Sequence, residues 1–134
     1  MPVAELRIPP DPSYVGLARL VVALAARQAG VADERVQDVK IAVDEALANA
    51  IRVQTALGSS APIDLSFGAT AVGFEVAVRA KEGPATSVDL TDDPVMHLVD
   101  PELSFTIIEG LTDKLTHESS DDATMCVRFV VGIP

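Results

Sequence analysis

The sequence lacks several features that assign a chain to a class at once. It contains no tryptophan, a single cysteine and only 4% aromatic residues. A lone Cys126 excludes an internal disulfide and is typical of a reducing compartment. There is neither a charged-then-apolar leader nor an apolar run long enough to cross a bilayer. We therefore expect a soluble, cytoplasmic protein without membrane association.

Basic residues are scarce as well. The chain has 20 acidic and 10 basic side chains, which gives a formal net charge of −10 at pH 7. This charge would repel a phosphate backbone, so direct binding to nucleic acid is not expected. A protein partner with a basic patch suits the charge better, although solubility alone explains it as simply.

What the chain does have is the composition of one globular domain. Its 134 residues are 49% hydrophobic and 22% charged, and this length suffices to bury a core. We predict a single domain over residues 1–134.

The order of helical and strand patterns predicts the fold class. Strands are predicted at 5–8, 63–67, 74–78 and 123–131, and helices at 11–30, from Asp33 to about residue 55, and at 103–115. The apolar stripe of the second helix is Val36, Val39, Val43, Ala46, Leu47 and Ala50. These elements indicate an α+β two-layer sandwich, with helices on one face of a mostly antiparallel, mixed sheet. Residues 83–101 read as a long loop.

The stretch KIAVDEALANAIR, residues 40–52, carries the strongest chemical signal. Glu45 and Asn49 lie one helical turn apart, beside the small Ala42 and Ala46. A carboxylate can accept a proton from a hydroxyl, and an amide oxygen can bind Mg²⁺. On spacing alone, the solvated edge of an amphipathic helix is the simpler interpretation.

Other chemistry finds little support. His97 and His117 lack further ligands at the spacing of a zinc site, so zinc is not expected. Cys126 stands among aliphatic residues of a predicted strand and is interpreted as a small core side chain.

Five segments in order resemble the GHKL-type ATPase domain of bacterial anti-sigma factors that are also serine kinases, the sporulation and general-stress regulators. The segments are ELRIPPDPSYVGLARLVVALAARQAGV, KIAVDEALANAI, FEVAVRAKEGPA, LSFTIIEGLTDKL and DATMCVRFVV. The resemblance extends from about residue 5 to residue 131 and implies the Bergerat, or GHKL, fold.

This resemblance implies roles for five residues. Glu45 would be the general base that activates the attacking hydroxyl, and Asn49 would hold the Mg²⁺ that bridges the nucleotide phosphates. Gly83 is a surviving glycine of the G1 box, and Thr124 stands near the adenine. Arg19 matches an arginine that contacts the sigma factor and its antagonist; an ordinary exposed arginine is the alternative.

The sequence also departs from the family pattern. Without gaps, Lys81 stands where an aspartate would accept a hydrogen bond from the adenine amino group, and lysine has no acceptor. Ala85 replaces the second glycine of the same box. Where a glycine-rich turn would close around the phosphates, this chain has Glu102, Leu103 and Ser104.

Two smaller departures follow. Ala123 replaces the glycine before Thr124, and Val53 stands where many relatives have a histidine. From all these changes we predict that binding of ATP and Mg²⁺ is weakened or lost. The loop at 83–101 is then either a vestigial ATP lid or a segment that docks a partner.

Two functions remain open. The first is an anti-sigma-like binding module, expected as a homodimer, for a sigma factor, a STAS-type anti-anti-sigma partner, or both. The alternative is an active serine/threonine kinase that uses ATP and Mg²⁺ to phosphorylate that STAS antagonist.

Overall fold

The computed structural model describes residues 3–56, 58–81, 101–119 and 124–134. Its strands are β1 (Ala4–Ile8), β2 (Ile63–Thr70), β3 (Gly73–Lys81), β4 (Lys114–Ser119) and β5 (Thr124–Val131). Its helices are α1 (Val15–Ala29), α2 (Asp33–Ala56) and α3 (Pro101–Leu111), with a short 3₁₀ turn at Pro12–Tyr14. Gly83, Ala85, Ala123 and the predicted loop up to residue 100 lie outside the described residues.

The strands form one sheet in the order β1-β2-β3-β5-β4. All four pairings between them are antiparallel. The predicted α+β class is confirmed, with one difference: the described strands contain no parallel pair, so the sheet is not mixed in this part of the chain.

Alternation along the strands divides the sheet into an apolar and a polar face, because successive side chains of a strand point to opposite sides. The apolar face packs against α1 and α2. Its buried members are Ile8, Ile63, Leu65, Phe67, Phe74, Val76, Val78, Ala80, Val127, Phe129 and Val131. The predicted stripe of α2 is buried against it, with no member more than 1% exposed. A fully buried valine or leucine contributes about 1.5–3 kcal/mol, so this layer holds the fold together.

Cys126 belongs to the other face. The residues of β5 on the apolar face are Val127, Phe129 and Val131, each at most 1% exposed. Cys126 alternates with them and is only half-buried. It lines a groove with Thr116. The prediction that Cys126 is a core side chain is wrong, because its aliphatic neighbours in sequence are on the opposite side of the strand.

The first helix begins and ends where the sequence indicates. Asp11 accepts a hydrogen bond from the backbone N–H of Ser13 at 2.9 Å, and this bond lowers the pKa of Asp11. It caps the 3₁₀ turn that leads into α1. Gly30 ends α1 with φ at 100°, a left-handed conformation that favours glycine.

The third helix is shorter than predicted, and the strand after it was missed. α3 ends at Leu111 rather than at residue 115, and β4 begins at Lys114. The backbone N–H of Asp113 donates to the carbonyl of Val130 at 2.8 Å, which turns the chain into the sheet. β4 is an edge strand with a polar sequence, KLTHES, so it lacks the aliphatic pattern that marks the central strands.

The hairpin between β2 and β3 is tighter than the predicted strands at 63–67 and 74–78 imply, because both strands extend toward the turn. Thr70 and Gly73 are register partners, so only two residues form the turn. Gly73 has φ at 140°, and a Cβ there would lie 2.6 Å from the carbonyl oxygen of Val131. Glycine is therefore required at this position.

The described residues contain neither a membrane-spanning helix nor a cluster of metal ligands. None of their helices combines the length and the apolar character needed to cross a membrane. In the same residues, no group of three or more histidine, cysteine, aspartate and glutamate side chains is arranged to hold a metal ion.

Candidate functional site

The candidate site lies where the middle of α2 meets the first turn of α3. Glu45, Asn49 and Arg52 share one face of α2 because they are spaced by four and three residues. The hydroxyl of Ser104, on α3, donates a hydrogen bond to Glu45 Oε2 at 3.1 Å. The hydroxyl oxygen of Ser104 also accepts a hydrogen bond from Arg52 Nη2 at 3.3 Å. Ser104 therefore connects the predicted base to a cation on the same helix.

Burial distinguishes the two predicted residues. Asn49 is only 1% exposed, so the solvated edge of a helix is the wrong interpretation for it. Glu45 is half-buried. Ala42 and Ala46, which could have left room for a ligand, are themselves buried. The space beside Glu45 is instead occupied by Ser104, which is 4% exposed.

Three buried polar atoms of this stretch have no hydrogen-bond partner among the described residues. They are Asp44 Oδ1, Asn49 Oδ1 and Arg52 Nε. An unsatisfied buried polar group costs about 1–3 kcal/mol, and such groups are rare in native proteins. Three of them within nine residues indicate a stretch that is not optimised for stability alone.

Arg19 is connected to this stretch. Its Nη1 donates to Asp44 Oδ2 at 2.9 Å, and the side chains are 44% and 34% exposed. This ion pair joins α1 to α2 next to Glu45. Arg19 is therefore not an unpaired surface arginine.

A row of leucines lies on the exposed side of α1 near Arg19. Leu17, Leu20 and Leu24 are 51%, 55% and 54% exposed. Their spacing of three and four residues places them on one side of the helix. We call these three residues the leucine row.

The end of β3 is where the resemblance would place the adenine contact. Lys81 and Thr124 are register partners there, so two of the residues singled out in the sequence are adjacent in the sheet. The buried residues of β3 include Val76, Val78 and Ala80, and Ala80 is thus the last residue of this strand under the helical layer. Neither alanine nor lysine can accept a hydrogen bond from an amino group.

These residues fit a nucleotide and Mg²⁺ poorly. The unpartnered oxygen of Asn49 has the chemistry of a magnesium ligand, but its side chain is buried. Within the segment that stands in place of the glycine-rich phosphate turn, Ser104 uses its side chain to hold Glu45. Of the described residues at the end of β3, neither Ala80 nor Lys81 has a side-chain acceptor for the adenine amino group.

Comparison with known proteins identifies the family. The profile of the histidine kinase-like ATPase domain matches residues 8–131. The chain belongs to this family. The predicted resemblance to its serine-kinase members is confirmed by the curated relatives. Serine-protein kinase RsbW of Oceanobacillus iheyensis is 29% identical over 81% of this chain and 74% of its own. RsbW of Bacillus subtilis is 27% identical over 92% of this chain and 82% of its own.

A solved structure supports the same fold. A chain in the crystal structure of the SiaB–SiaC complex from Pseudomonas aeruginosa superposes with a TM-score of 0.69. The superposition covers 96% of this chain and 88% of that chain, at 12% sequence identity. At this identity the likeness concerns the fold alone.

Sequence reasoning missed two participants in the site. Ser104 was noted only as a residue in place of a glycine, and Arg52 was not noted at all. The spacing of Arg52, three residues after Asn49, was an available signal. The contact through Ser104 depends on how α3 docks against α2, which no local pattern specifies.

Proposed function

We propose that this protein is an anti-sigma-factor-like regulator of the cytoplasm. It binds a sigma factor, a STAS-type anti-anti-sigma protein, or both, and acts as a homodimer. Its binding of ATP and Mg²⁺ is weakened or lost. The observation that carries this proposal is the leucine row beside the ion pair of Arg19 and Asp44.

The leucine row supports binding of a protein partner. Full burial of a leucine side chain contributes about 1.5–3 kcal/mol. Because Leu17, Leu20 and Leu24 are 51%, 55% and 54% exposed, covering each of them would add roughly half of that to docking. The adjacent Arg19 supplies a charged group that fixes orientation, and its partner Asp44 keeps it in place.

The residues of the candidate site support weakened nucleotide binding. Glu45 already accepts a hydrogen bond from Ser104, and Ala80 and Lys81 offer no acceptor to an adenine. A glycine-free first turn of α3 also presents side chains where backbone N–H groups would surround phosphates.

One observation favours the alternative, an active serine/threonine kinase. Ser104 shows that Glu45 can accept a hydrogen bond from a serine hydroxyl, the contact that a general base would make with the serine of a STAS antagonist. The curated relatives are named serine-protein kinases. In this alternative Ser104 must release Glu45 before the substrate serine reaches it.

Affinity capture tests the partner. The tagged chain and its Leu20→Glu variant are incubated with cytoplasm of the native host, and captured proteins are identified by mass spectrometry. We expect a sigma subunit or a small STAS protein with the wild type, and its loss with the variant. Equal recovery by both chains would contradict docking at the leucine row.

Calorimetry with ATP and ADP in Mg²⁺ tests the nucleotide site. We expect no detectable heat at nucleotide concentrations up to about 1 mM. Binding tighter than about 10 μM, near −7 kcal/mol, would favour the kinase instead.

A further inference from the structure

The hydrogen bonds around Ser104 show what kind of group fits between Glu45 and Arg52. The hydroxyl of Ser104 donates to Glu45 Oε2 at 3.1 Å, and its oxygen accepts a hydrogen bond from Arg52 Nη2 at 3.3 Å. An ionised carboxylate only accepts hydrogen bonds, and a guanidinium group only donates them. A hydroxyl does both at one atom. Glu45 and Arg52 therefore form a two-point binding site for one alcohol group, which we call the hydroxyl site.

The hydroxyl site and its occupant belong to different elements. Glu45 and Arg52 are both on α2 and share one face of it. Ser104 comes from the first turn of α3. The site is therefore built by one helix alone, and a hydroxyl from another source can replace that of Ser104 while α2 stays in place.

Ser104 fills the hydroxyl site imperfectly. Hydrogen bonds with a charged partner are usually about 2.5–2.7 Å long from a hydroxyl to a carboxylate and about 2.7–2.9 Å long from a charged N–H donor. Both bonds made by Ser104 exceed these lengths. Its hydroxyl is one carbon away from a helical backbone, so its position is fixed by how α3 packs. A hydroxyl brought by another chain is free of this restraint and can shorten both bonds.

Polar atoms beside the hydroxyl site are left unsatisfied by Ser104. Arg52 Nε and Asn49 Oδ1 are buried and have no hydrogen-bond partner among the described residues. The backbone carbonyl of Ser104 is part of the helix α3, where it accepts from the following turn rather than from Arg52. A serine in a partner's loop carries a free carbonyl oxygen as well as its hydroxyl. Such a group can therefore satisfy a donor that Ser104 leaves unpaired.

The charges of the hydroxyl site favour a neutral ligand. Glu45 and Arg52 have opposite formal charges and are both half-buried. An anionic ligand would be repelled by Glu45, and a cationic ligand would be repelled by Arg52. A neutral alcohol meets neither repulsion. Serine and threonine carry this group on a side chain about as short as that of Ser104.

We propose that the hydroxyl site binds a serine or threonine side chain of a protein partner, and that Ser104 occupies it in the free chain as an internal competitor. Arg52 orients the bound hydroxyl toward Glu45. The inference rests on the proposed function for the source of the hydroxyl, and it requires neither nucleotide nor Mg²⁺. Asp44, which pairs with Arg19 beside the leucine row, directly precedes Glu45. A partner on the leucine row is thus next to the hydroxyl site.

Chemical labelling of Glu45 tests the proposal on the purified chain alone. A carbodiimide couples accessible carboxylates to glycine ethyl ester, and mass spectrometry of the peptides gives the rate at Glu45. The probe ligand is N-acetylserinamide, and N-acetylalaninamide, which lacks the hydroxyl, is its matched control. Ser104→Ala empties the site. Thr106→Ala, at an exposed position of the same helix, is the control variant, and circular dichroism melting establishes folding of each variant.

We expect Ser104→Ala to accelerate coupling at Glu45 at least about threefold, because one hydrogen bond to the carboxylate is lost. Thr106→Ala should leave the rate unchanged. In the Ser104→Ala chain, N-acetylserinamide at about 0.1 M should slow the coupling about twofold, which corresponds to a dissociation constant of about 0.1 M. N-acetylalaninamide should have no effect. The wild type, whose site is filled, should be protected by neither compound.

Changes at Arg52 separate binding of the hydroxyl from a structural role. In the Ser104→Ala background, Arg52→Met should abolish protection by N-acetylserinamide, and Arg52→Lys, which keeps a charged donor, should restore part of it. Equal coupling rates in the wild type and in folded Ser104→Ala, or equal protection by the two amides, would overturn the proposal. Protection that persists in a folded Arg52→Met chain would overturn the role of Arg52. The experiment contains no partner protein, so its failure and that of the partner capture are distinguishable.

Discussion

The two halves of α2 differ in how their polar groups are satisfied. In the first half, Arg35 donates to Asp38 Oδ2 at 2.7 Å, to the Leu111 carbonyl at 3.2 Å and to Asp113 Oδ1 at 3.0 Å. In the second half, one buried atom each of Asn49 and Arg52 has no partner among the described residues. Both halves bury the same apolar stripe.

The difference separates structural from functional roles along one helix. The first half connects α2 to the end of α3 through a satisfied ion-pair network. The second half is held in the fold by its apolar side and carries polar groups that reduce stability. Residues whose buried polar atoms lower stability in this way are candidates for binding or chemistry.

The largest loss of stability is expected from a substitution on the apolar side of the second half of α2. Leu47 is fully buried, and Leu47→Ala should lower the free energy of unfolding by about 2–5 kcal/mol through lost burial and a cavity. Chemical denaturation measures this value. Ile41→Ala, at a 46% exposed position of the same helix, is the control and should cost far less. Equal losses would show that the apolar side does not hold this half.

The network of the first half should give the next largest effect. Arg35→Ala removes three hydrogen bonds and leaves the Leu111 carbonyl without this donor, so we expect a loss of about 1–2 kcal/mol. Arg27→Ala, an exposed arginine of α1, should change stability by less than about 0.5 kcal/mol. A loss from Arg35→Ala no greater than that of the control would remove the contrast between the halves.

Substitution of Ser104 is expected to lower the free energy of unfolding by less than substitution of Arg35. Ser104→Ala removes the donor to Glu45 and the acceptor for Arg52, at a cost of about 1 kcal/mol. A double-mutant cycle with Glu45→Gln should yield a coupling of about 0.5–1.5 kcal/mol. Strictly additive effects would mean that the hydrogen bond contributes nothing to stability.

Asn49 should give the smallest effect and the one most diagnostic of function. Asn49→Leu keeps a branched side chain but removes the unpartnered oxygen, so stability should be unchanged or rise by about 1 kcal/mol. Thermal melting measures the change. A loss above about 1 kcal/mol would place Asn49 among the satisfied structural groups.

Much of the fold could be predicted from the sequence because it follows local rules. The stripe of α2 follows the helical period, and Asp11 and Gly30 mark the limits of the first helical segment by capping chemistry. The central strands follow from their apolar alternation. β4 was missed because an edge strand pairs on one side only and needs no apolar pattern.

The candidate site could be predicted only in part. Glu45 and Asn49 were identified from their spacing and the family resemblance, and their proximity follows from the helix. The burial of Asn49 and the bond from Ser104 to Glu45 depend on the docking of α3 against α2. Such packing is set by the whole chain, so it is not visible in any single segment.

Cys126 has a consequence for future measurements. It is the sole thiol of the chain and stands between Arg79 and Glu118 in a row across the polar face of the sheet. A spin label or fluorophore attached there needs no engineered cysteine. The separation of two labels would report directly how far apart the sheets of neighbouring molecules are in solution.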